Sequence, residues 1–218
     1  MEWKLVTQNG KKNSLFIEGE FYCKCYPGDL KGFGLSEGKE ISETQLQKLT
    51  QEILLPRAKK RALYLVGKKR YTKKEMERKL QGDGYPSSVI SDAVTYLQQF
   101  HYIADESYAE DYASELLKKY SPKVAIYKMQ AKGLDRQLIE EAIEHFRTVY
   151  DEEHADEVNE KPEYEAIRSF LRRKGFRLED ADAEQKNKMV VALYRKGFSL
   201  TDIRTVLACE DVDFTGEE

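Results

Sequence analysis

Apolar positions recur along this chain in one pattern that occurs twice without a gap and a third time more weakly. Residues 70–97 overlay residues 119–146, and residues 193–198 repeat the step in which an apolar residue precedes a glycine and an aromatic residue. The overlay pairs Tyr71 with Tyr120, Leu80 with Met129, Gly84 with Gly133, Ile90 with Ile139 and Leu97 with Phe146. Repeats of this kind are typical of stacked helical units, each of which cannot bury its apolar face alone.

The predicted helices have start and stop signals. Side chains that cap free N–H groups stand at Ser42 with Gln45, Thr72 with Glu75, Asp182 with Gln185, and Ser121 before Pro122. Glycines suited to a left-handed helix end stand at Gly84, Gly133, Gly175 and Gly197, and Pro86, Asp135 and Ser199 each follow two positions after a repeat glycine. Each unit therefore reads as three helices, spanning about 45–60 residues.

The first forty residues differ from the rest. Residues 14–17 and 21–26 are rich in apolar and aromatic side chains and flank Glu18-Gly19-Glu20, which predicts a tight β-hairpin, and residues 3–6 could form a further short strand. Pro27-Gly28 should end the hairpin, and three later glycines should keep residues up to Gly38 loop-like. We predict a hairpin extension over residues 1–41, a first repeat with a leading helix over 42–105, a second repeat over 106–150, and an acidic linker with the third repeat over 151–218. Pro56 should bend or restart the leading helix.

Charge is unevenly distributed, although the net formal charge of the 218 residues is only −3. Between Arg57 and Tyr85, eleven basic residues stand against three acidic ones, whereas the stretch after Tyr150 is strongly acidic. This asymmetry predicts one electropositive surface and an acidic tail. An odd and sparse set of three cysteines favours a reducing compartment, so we expect a cytoplasmic protein. No apolar run is long enough to span a bilayer, so we expect no membrane segment.

Catalytic and metal-binding patterns are scarce. The three histidines stand in no known catalytic spacing, and no phosphate-binding glycine motif occurs, so we expect no enzyme activity and no cofactor. Cys23 and Cys25 share one face of a predicted strand, where two small half-buried residues are the simpler interpretation than a metal site. The acidic residues from Asp105 to Asp111 could bind a divalent cation of a nuclease, or could simply complement a helix dipole.

A basic surface interleaved with tyrosines is the feature most suggestive of function. Lysines and arginines can follow phosphates, and exposed aromatic rings can stack on bases. Tyr64, Tyr71, Tyr120 and Tyr127 nevertheless have helical spacing, which favours core packing for most of them. The candidate DNA-binding residues of this basic face are Lys59, Lys60, Arg61, Lys68, Lys69, Arg70, Lys73, Lys74, Arg78, Lys118, Lys119, Lys123, Arg172 and Arg173.

Several runs together resemble the RecX family of regulators. They are Ala62-Leu63-x-Leu65, Thr72-x-x-Glu75-Met76-x-x-Lys79-Leu80, Tyr102-Ile103-x-Asp105-x-x-Tyr108-Ala109-x-x-Tyr112, and Ile126-x-x-Met129-x-x-Lys132-Gly133-Leu134. The resemblance covers residues 57–146 well and the third unit loosely. Three departures from the family pattern concern helix entry. Ala104-Asp105 stands for an acidic pair, the arginine before the capping box is Arg70 followed by Tyr71, and Ser121-Pro122 stands where a glycine is common.

The resemblance implies a mainly α fold of tandem three-helix repeats in an elongated, curved arrangement. It further implies a modulator of the RecA recombinase that lies in the groove of RecA–single-stranded-DNA filaments and controls their growth, ATP hydrolysis, strand exchange and coprotease role. Weak contact with single-stranded DNA and a monomeric state are expected. The alternative is an independent helix-turn-helix DNA-binding regulator, but residues 87–99 lack the basic side chains that a recognition helix needs.

Overall fold

The computed structural model describes residues 3–8, 12–32, 40–156 and 160–208, and it is mainly helical, with a small sheet at the N-terminal end. The chain divides into two compact units, Met1–Asp105 and Glu106–Glu218. No helix in the described ranges is long and apolar enough to cross a bilayer.

The sheet has three antiparallel strands in the order β1-β2-β3: Trp3–Gln8, Lys12–Ile17 and Glu20–Cys25. Glu18 and Gly19 connect β2 to β3 with φ angles of 51° and 85°. Two consecutive positive φ angles suit a two-residue turn whose twist matches the strands, so the predicted hairpin is confirmed. Cys23 and Cys25 share a face as expected, but they are fully buried rather than half-buried, since this face packs on the first helices.

The residues after the hairpin are not loop-like as far as Gly32. Helix α1 spans Pro27–Gly32, and the Asp29 carboxylate stabilises its start by accepting a hydrogen bond from the Tyr26 N–H at 2.8 Å. The prediction missed this turn because it contains Pro27-Gly28 and ends at Gly32, residues that are typical of loops. The later glycines, Gly34 and Gly38, lie outside the described residues.

The leading helix changes geometry ahead of Pro56. Helix α2 (Glu43–Lys48) begins at the predicted Ser42 capping box, a π-helical segment follows over Leu49–Leu54, and α3 spans Leu55–Val66. Proline lacks an N–H, and its ring would clash with the carbonyl four residues earlier in an α-helix. The wider π turn lies where that conflict arises, so Pro56 modifies the helix as predicted.

The first repeat consists of α3, α4 (Lys73–Asp83) and α5 (Ser87–Gln99). The Thr72 capping box starts α4, and Gly84 ends it with a φ of 88°. The second repeat consists of α6 (Asp105–Leu117), α7 (Pro122–Ala131) and α8 (Arg136–Glu153), and the third of α9 (Pro162–Arg173), α10 (Ala183–Arg195) and α11 (Leu200–Leu207). The acidic residues 151–153 therefore continue α8.

The predicted helix boundaries hold in all three repeats. Pro86, Asp135 and Ser199 are the N-cap residues of α5, α8 and α11, and Gly84, Gly133, Gly175 and Gly197 all have positive φ. Contrary to expectation, the second and third repeats each enclose a separate apolar core, because their three helices already bury Met129 and Ile139 in one and Ile167 and Leu193 in the other. The first repeat shares its core with the sheet.

Candidate anion-binding surface

A cleft of about 510 Å³ lies in the first unit, between strand β3, helix α3 and the end of α4. We call it the sheet–helix cleft. Its lining combines basic and aromatic side chains with one carboxylate: Lys24, Tyr26, Arg57, Lys60, Arg61, Tyr64, Asp83 and Tyr85. Cations beside aromatic rings are the combination that can hold an anion next to a flat apolar group.

Direct backbone contact between β3 and the end of α4 forms one wall of this cleft. The Lys24 N–H donates to the Gly84 carbonyl at 2.9 Å, and the Lys24 side chain lies across the glycine. A Cβ atom on Gly84 would stand 2.6 Å from Lys24 Cγ. Glycine is therefore required here both for its positive φ and for the close approach of the strand.

An ion pair fixes Arg57 at the back of the cleft. Its guanidinium donates to both carboxylate oxygens of Asp29, at 2.9 and 2.7 Å, and lies 4.7 Å from the centre of the Tyr26 ring. Burial alone would raise the pKa of Asp29, but hydrogen bonds from Arg57 and from the Tyr26 N–H outweigh it and hold that pKa below its ordinary value. Asp29 in turn raises the pKa of Arg57, so both groups stay charged.

Two lysines of the cleft are available to bind an anion, whereas Arg61 is already paired. Arg61 donates to Asp83 at 2.8 Å, and this hydrogen bond raises the pKa of Arg61. Lys24 and Lys60, by contrast, form no ion pair within the described part of the chain. Burial raises the pKa of the Tyr85 hydroxyl, so this ring stays neutral on the cleft wall. The cleft therefore has a net positive charge.

The ring of Tyr64 connects the cleft to the basic loop after α3. It is 59% exposed, with the Arg61 guanidinium 5.8 Å and Lys68 Nζ 5.5 Å from its centre. Core packing was the wrong interpretation for this tyrosine, because helix α3 turns positions 57, 60, 61 and 64 toward one side, and Lys68 in the turn after α3 reaches the same ring. The interpretation holds for Tyr71, which is buried beneath Lys69.

The remaining predicted basic residues of the first unit do not all face the cleft. Lys59 lies over the ring of Tyr96 in α5, 4.5 Å from its centre, and so belongs to another side of the repeat. The others are exposed on the loop before α4 and on its first turns: Lys69, Arg70, Lys73, Lys74 and Arg78. Lys74 pairs with Glu77 at 3.2 Å, an exposed pair that stabilises the helix little.

A second basic surface lies in the second unit, along the contact between the second and third repeats. Two cavities of about 410 and 490 Å³ share Val124, Lys196 and Phe198 and thus form one groove, which we call the seam groove. Its further lining residues are Lys119, Tyr120, Ser121, Lys123, Tyr127, Phe170, Arg173, Lys174, Tyr194, Arg195 and Gly197. These described lining residues include six cations and no carboxylate.

Two hydrogen bonds between the repeats hold the floor of the seam groove. The buried Ser121 hydroxyl donates to the Lys196 carbonyl at 2.6 Å, and the Arg173 guanidinium donates to the Lys119 carbonyl at 3.4 Å. Gly197, with a φ of 82°, lets the third repeat approach the second closely, since a Cβ there would stand 2.9 Å from Ser121 Oγ. The groove is therefore built into the packing of the two repeats.

The structure separates the predicted basic residues of the second unit into two groups. Lys119, Lys123 and Arg173 line the seam groove. Lys118 instead lines a cavity of about 480 Å³ that also contains Glu153, Glu160, Glu165 and Arg168, and Arg172 pairs with Glu165 at 2.6 Å. Acidic neighbours reduce the attraction of Lys118 and Arg172 for an anion.

Comparison with known proteins agrees with this architecture. Family models described as the first, second and third three-helix domains of RecX match residues 58–97, 105–143 and 162–207. The matched segments together span more than half of the chain. The chain belongs to the RecX family.

Relatives of the RecX family cover most of this chain. The protein named regulatory protein RecX from Caldanaerobacter subterraneus subsp. tengcongensis is 27% identical over 185 residues, which are 80% of this chain and 92% of the relative. Its namesake from Clostridium acetobutylicum is 25% identical and covers 94% of this chain and 93% of its own length. A crystal structure of regulatory protein RecX covers 93% of this chain and 96% of its own, with a TM-score of 0.56 at 18% identity, which supports the fold.

Sequence reasoning missed half of the cations of each basic surface. In the sheet–helix cleft it did not select Lys24 and Arg57, nor the rings of Tyr26 and Tyr85, and in the seam groove it did not select Lys174, Arg195 and Lys196, nor the ring of Tyr194. One signal was present: an aromatic residue follows the glycine that ends the middle helix in both places, Tyr85 after Gly84 and Phe198 after Gly197.

Groups that could bind a metal were also considered in the sequence. No cluster of three or more His, Cys, Asp or Glu side chains among the described residues could hold a metal ion. The Asp105 carboxylate instead accepts a hydrogen bond from the Lys73 N–H at 2.8 Å, at the start of α4. Cys25 donates to the Asn13 carbonyl, with 3.7 Å between sulfur and oxygen.

Proposed function

We propose that this chain is a regulator of the RecA recombinase that binds the RecA–single-stranded-DNA filament in its groove and checks filament growth and stability. The names of its relatives, regulatory protein RecX, support the regulatory role. Filament binding in turn would limit ATP hydrolysis, strand exchange and the coprotease role in DNA repair and the SOS response, without cofactors or chemistry of its own, in the cytoplasm and as a monomer.

The observation that carries this proposal is the basic surface of the first unit. It extends from the sheet–helix cleft along α3 to the Tyr64 ring, which has Arg61 on one side and Lys68 on the other, and further exposed cations follow in the chain at the start of α4. A filament groove presents nucleic-acid phosphates and acidic protein side chains along a line. A surface with cations at helical spacing can follow such a line, and its binding should weaken as salt rises.

An independent helix-turn-helix DNA-binding regulator fits the structure less well. The third helix of the first repeat, α5, would have to read bases in the major groove. Its exposed positions carry Ser87, Ser88, Ser91, Asp92, Thr95, Gln98 and Gln99, none of them basic. Polar contacts of this kind without a cation would give little affinity for a duplex.

A titration of the chain into RecA coating single-stranded DNA, read as ATP hydrolysis at several salt concentrations, tests the proposal. We expect the wild type to inhibit hydrolysis. A variant with five surface cations replaced by alanine should require a higher concentration and show a flatter salt dependence. The replaced residues are Lys68, Lys69, Arg70, Lys73 and Lys74.

A charge-matched control separates this surface from net charge. Five exposed or half-exposed cations elsewhere are replaced by alanine in the control, and it should inhibit like the wild type: Lys48, Arg136, Arg177, Lys186 and Lys188. Equal inhibition by both five-alanine variants would remove the basic face from the interface. A wild-type chain without effect on the filament would refute the proposed function itself.

A further inference from the structure

Two exposed tyrosines stand on the seam groove, a surface that no prediction from the sequence selected as a whole. Tyr127 on α7 is 72% exposed and Tyr194 on α10 is 53% exposed. Both line the same cavity, together with Lys123, Arg195 and Lys196. Large aromatic side chains at this exposure leave apolar area in water, so a partner that covers flat rings is the natural occupant.

We propose that the seam groove binds single-stranded nucleic acid directly, with bases stacked on Tyr127 and Tyr194 and phosphates on Lys123, Arg195 and Lys196. This site rests on the proposed function and extends it, because it would let the protein bind the single-stranded nucleic acid directly, without the recombinase. Proteins that bind single strands without sequence preference combine a positive groove with aromatic rings in this way.

The charge of the groove favours a polyanion over a neutral ligand. Among its six cations, Lys123, Lys174 and Arg195 form no ion pair within the described ranges, and Lys196 lies 5.4 Å from the centre of the Phe170 ring. Within the described part of the chain, no carboxylate lines the groove to offset them. Cations in a shallow, partly apolar groove focus the field on whatever enters it.

An acidic peptide would also be attracted, but the rings favour nucleic acid. Five aromatic side chains line the groove: Tyr120, Tyr127, Phe170, Tyr194 and Phe198. Tyr127 and Tyr194 expose their rings, whereas Phe170 and Phe198 are buried beneath the groove surface. Carboxylate side chains gain little from the faces of tyrosine rings, whose π electrons repel anions, whereas every base has a π face to stack on them. Each of the two connected cavities is also within the ~300–1,000 Å³ that holds a compact organic group such as a nucleotide.

The groove is preformed. The Ser121–Lys196 hydrogen bond and the left-handed Gly197 fix α7 against the end of α10, so the helices that carry Tyr127 and Tyr194 are held before any ligand binds. A preformed site avoids much of the entropy cost of ordering loops on binding.

Fluorescence anisotropy with a labelled oligothymidylate and the full chain, without recombinase, tests the inference. Replacing Tyr127 and Tyr194 with alanine should weaken binding by roughly tenfold or more while leaving its salt dependence unchanged, since stacking is lost and charge is kept. Replacing both with phenylalanine should retain affinity. The triple variant Lys123→Gln, Arg195→Gln and Lys196→Gln should flatten the plot of log binding constant against log salt concentration. The slope should fall in magnitude by about 2, since each phosphate contact on a single strand contributes ~0.7.

Matched controls make the result decisive. Tyr102→Ala removes a tyrosine of similar exposure, 52%, that lies in the first unit, and it should leave binding unchanged. Tyr127→Ala alone serves if the double variant melts at a lower temperature by circular dichroism.

Three outcomes would overturn the inference. They are no binding of the oligonucleotide at low salt, equal affinity of the alanine and wild-type chains, and displacement of the oligonucleotide by polyglutamate as effectively as by unlabelled oligothymidylate. The last would indicate an acidic peptide as the occupant. Because no recombinase is present, any of these leaves the filament assay of the proposed function to be decided separately.

Discussion

Replacing Gly84 with alanine probes how the N-terminal sheet is seated on the first repeat. Gly84 has a φ of 88°, and its carbonyl accepts the Lys24 N–H at 2.9 Å. A new Cβ would meet Lys24 Cγ at 2.6 Å, Cδ at 2.8 Å and Cβ at 3.1 Å. The first two atoms can swing away, but the last is attached to the strand backbone, so β3 itself must move.

Two terms add up in this substitution. An L-residue in the left-handed region costs about 1–2 kcal/mol. Overpacking against the strand adds about 1–3 kcal/mol, so the total loss of unfolding free energy should be about 2–5 kcal/mol. Gly19 is a matched control in the same unit, because its φ is 85° and a Cβ there would meet nothing within 4 Å. Gly19→Ala should therefore show the backbone term alone.

Urea unfolding of the four members of a double-mutant cycle measures the coupling. The single variants are Gly84→Ala and Lys24→Ala, and the double variant combines them. Lys24→Ala removes the two nearest atoms, so the double variant should recover on the order of 1 kcal/mol relative to the sum of the single effects. If Gly84→Ala costs no more than Gly19→Ala, and the coupling is zero, then the strand does not rest on the end of α4 and the sheet–helix cleft lacks its wall.

Two further predictions concern a second left-handed glycine, Gly133, and the ion pair of Asp29 with Arg57. Gly133→Val should cost on the order of 1–2 kcal/mol because Gly133 has a φ of 80°; Gly133→Asn should cost less, and equal melting temperatures for valine and wild type would refute this. Asp29→Asn should cost about 1–3 kcal/mol at neutral pH. The folded pKa of Asp29 is lowered, so its contribution is complete above the unfolded value of about 3.9 and is lost as pH falls through the folded pKa. Wild-type and variant stabilities should thus converge in acid, and a constant gap would contradict this.

Helix boundaries were the part of the fold that local sequence rules could predict. A capping box needs only a hydroxyl or carboxylate and a partner three residues on, and a left-handed helix end needs only glycine, so both can be recognised within one turn of helix. Thr72, Ser121 and Asp182 begin helices, and Gly175 follows one, as these rules require.

Features that depend on distant residues could not be predicted. Tyr64 and Tyr127 have the helical spacing of core residues, and only the packing of the neighbouring helices determines that they face solvent. Likewise, Lys24 and Lys60 are far apart in the chain, and pairing of β3 with the end of α4 brings them to one cleft. The acidic environment of Lys118 depends on the position of α9 in the same way.

Both basic surfaces occupy the same place in a repeat, which gives the N-terminal sheet a role. Each adjoins the glycine that ends the middle helix, Gly84 in the first repeat and Gly197 in the third. In the third repeat, the second repeat supplies a cation and a ring from Lys119–Tyr120, whereas in the first repeat β3 supplies Lys24 and the residue after β3 supplies the ring of Tyr26. The sheet thus fills the place of a preceding repeat. The sheet therefore both buries the first core and completes the sheet–helix cleft, as a capping unit does in a repeat array.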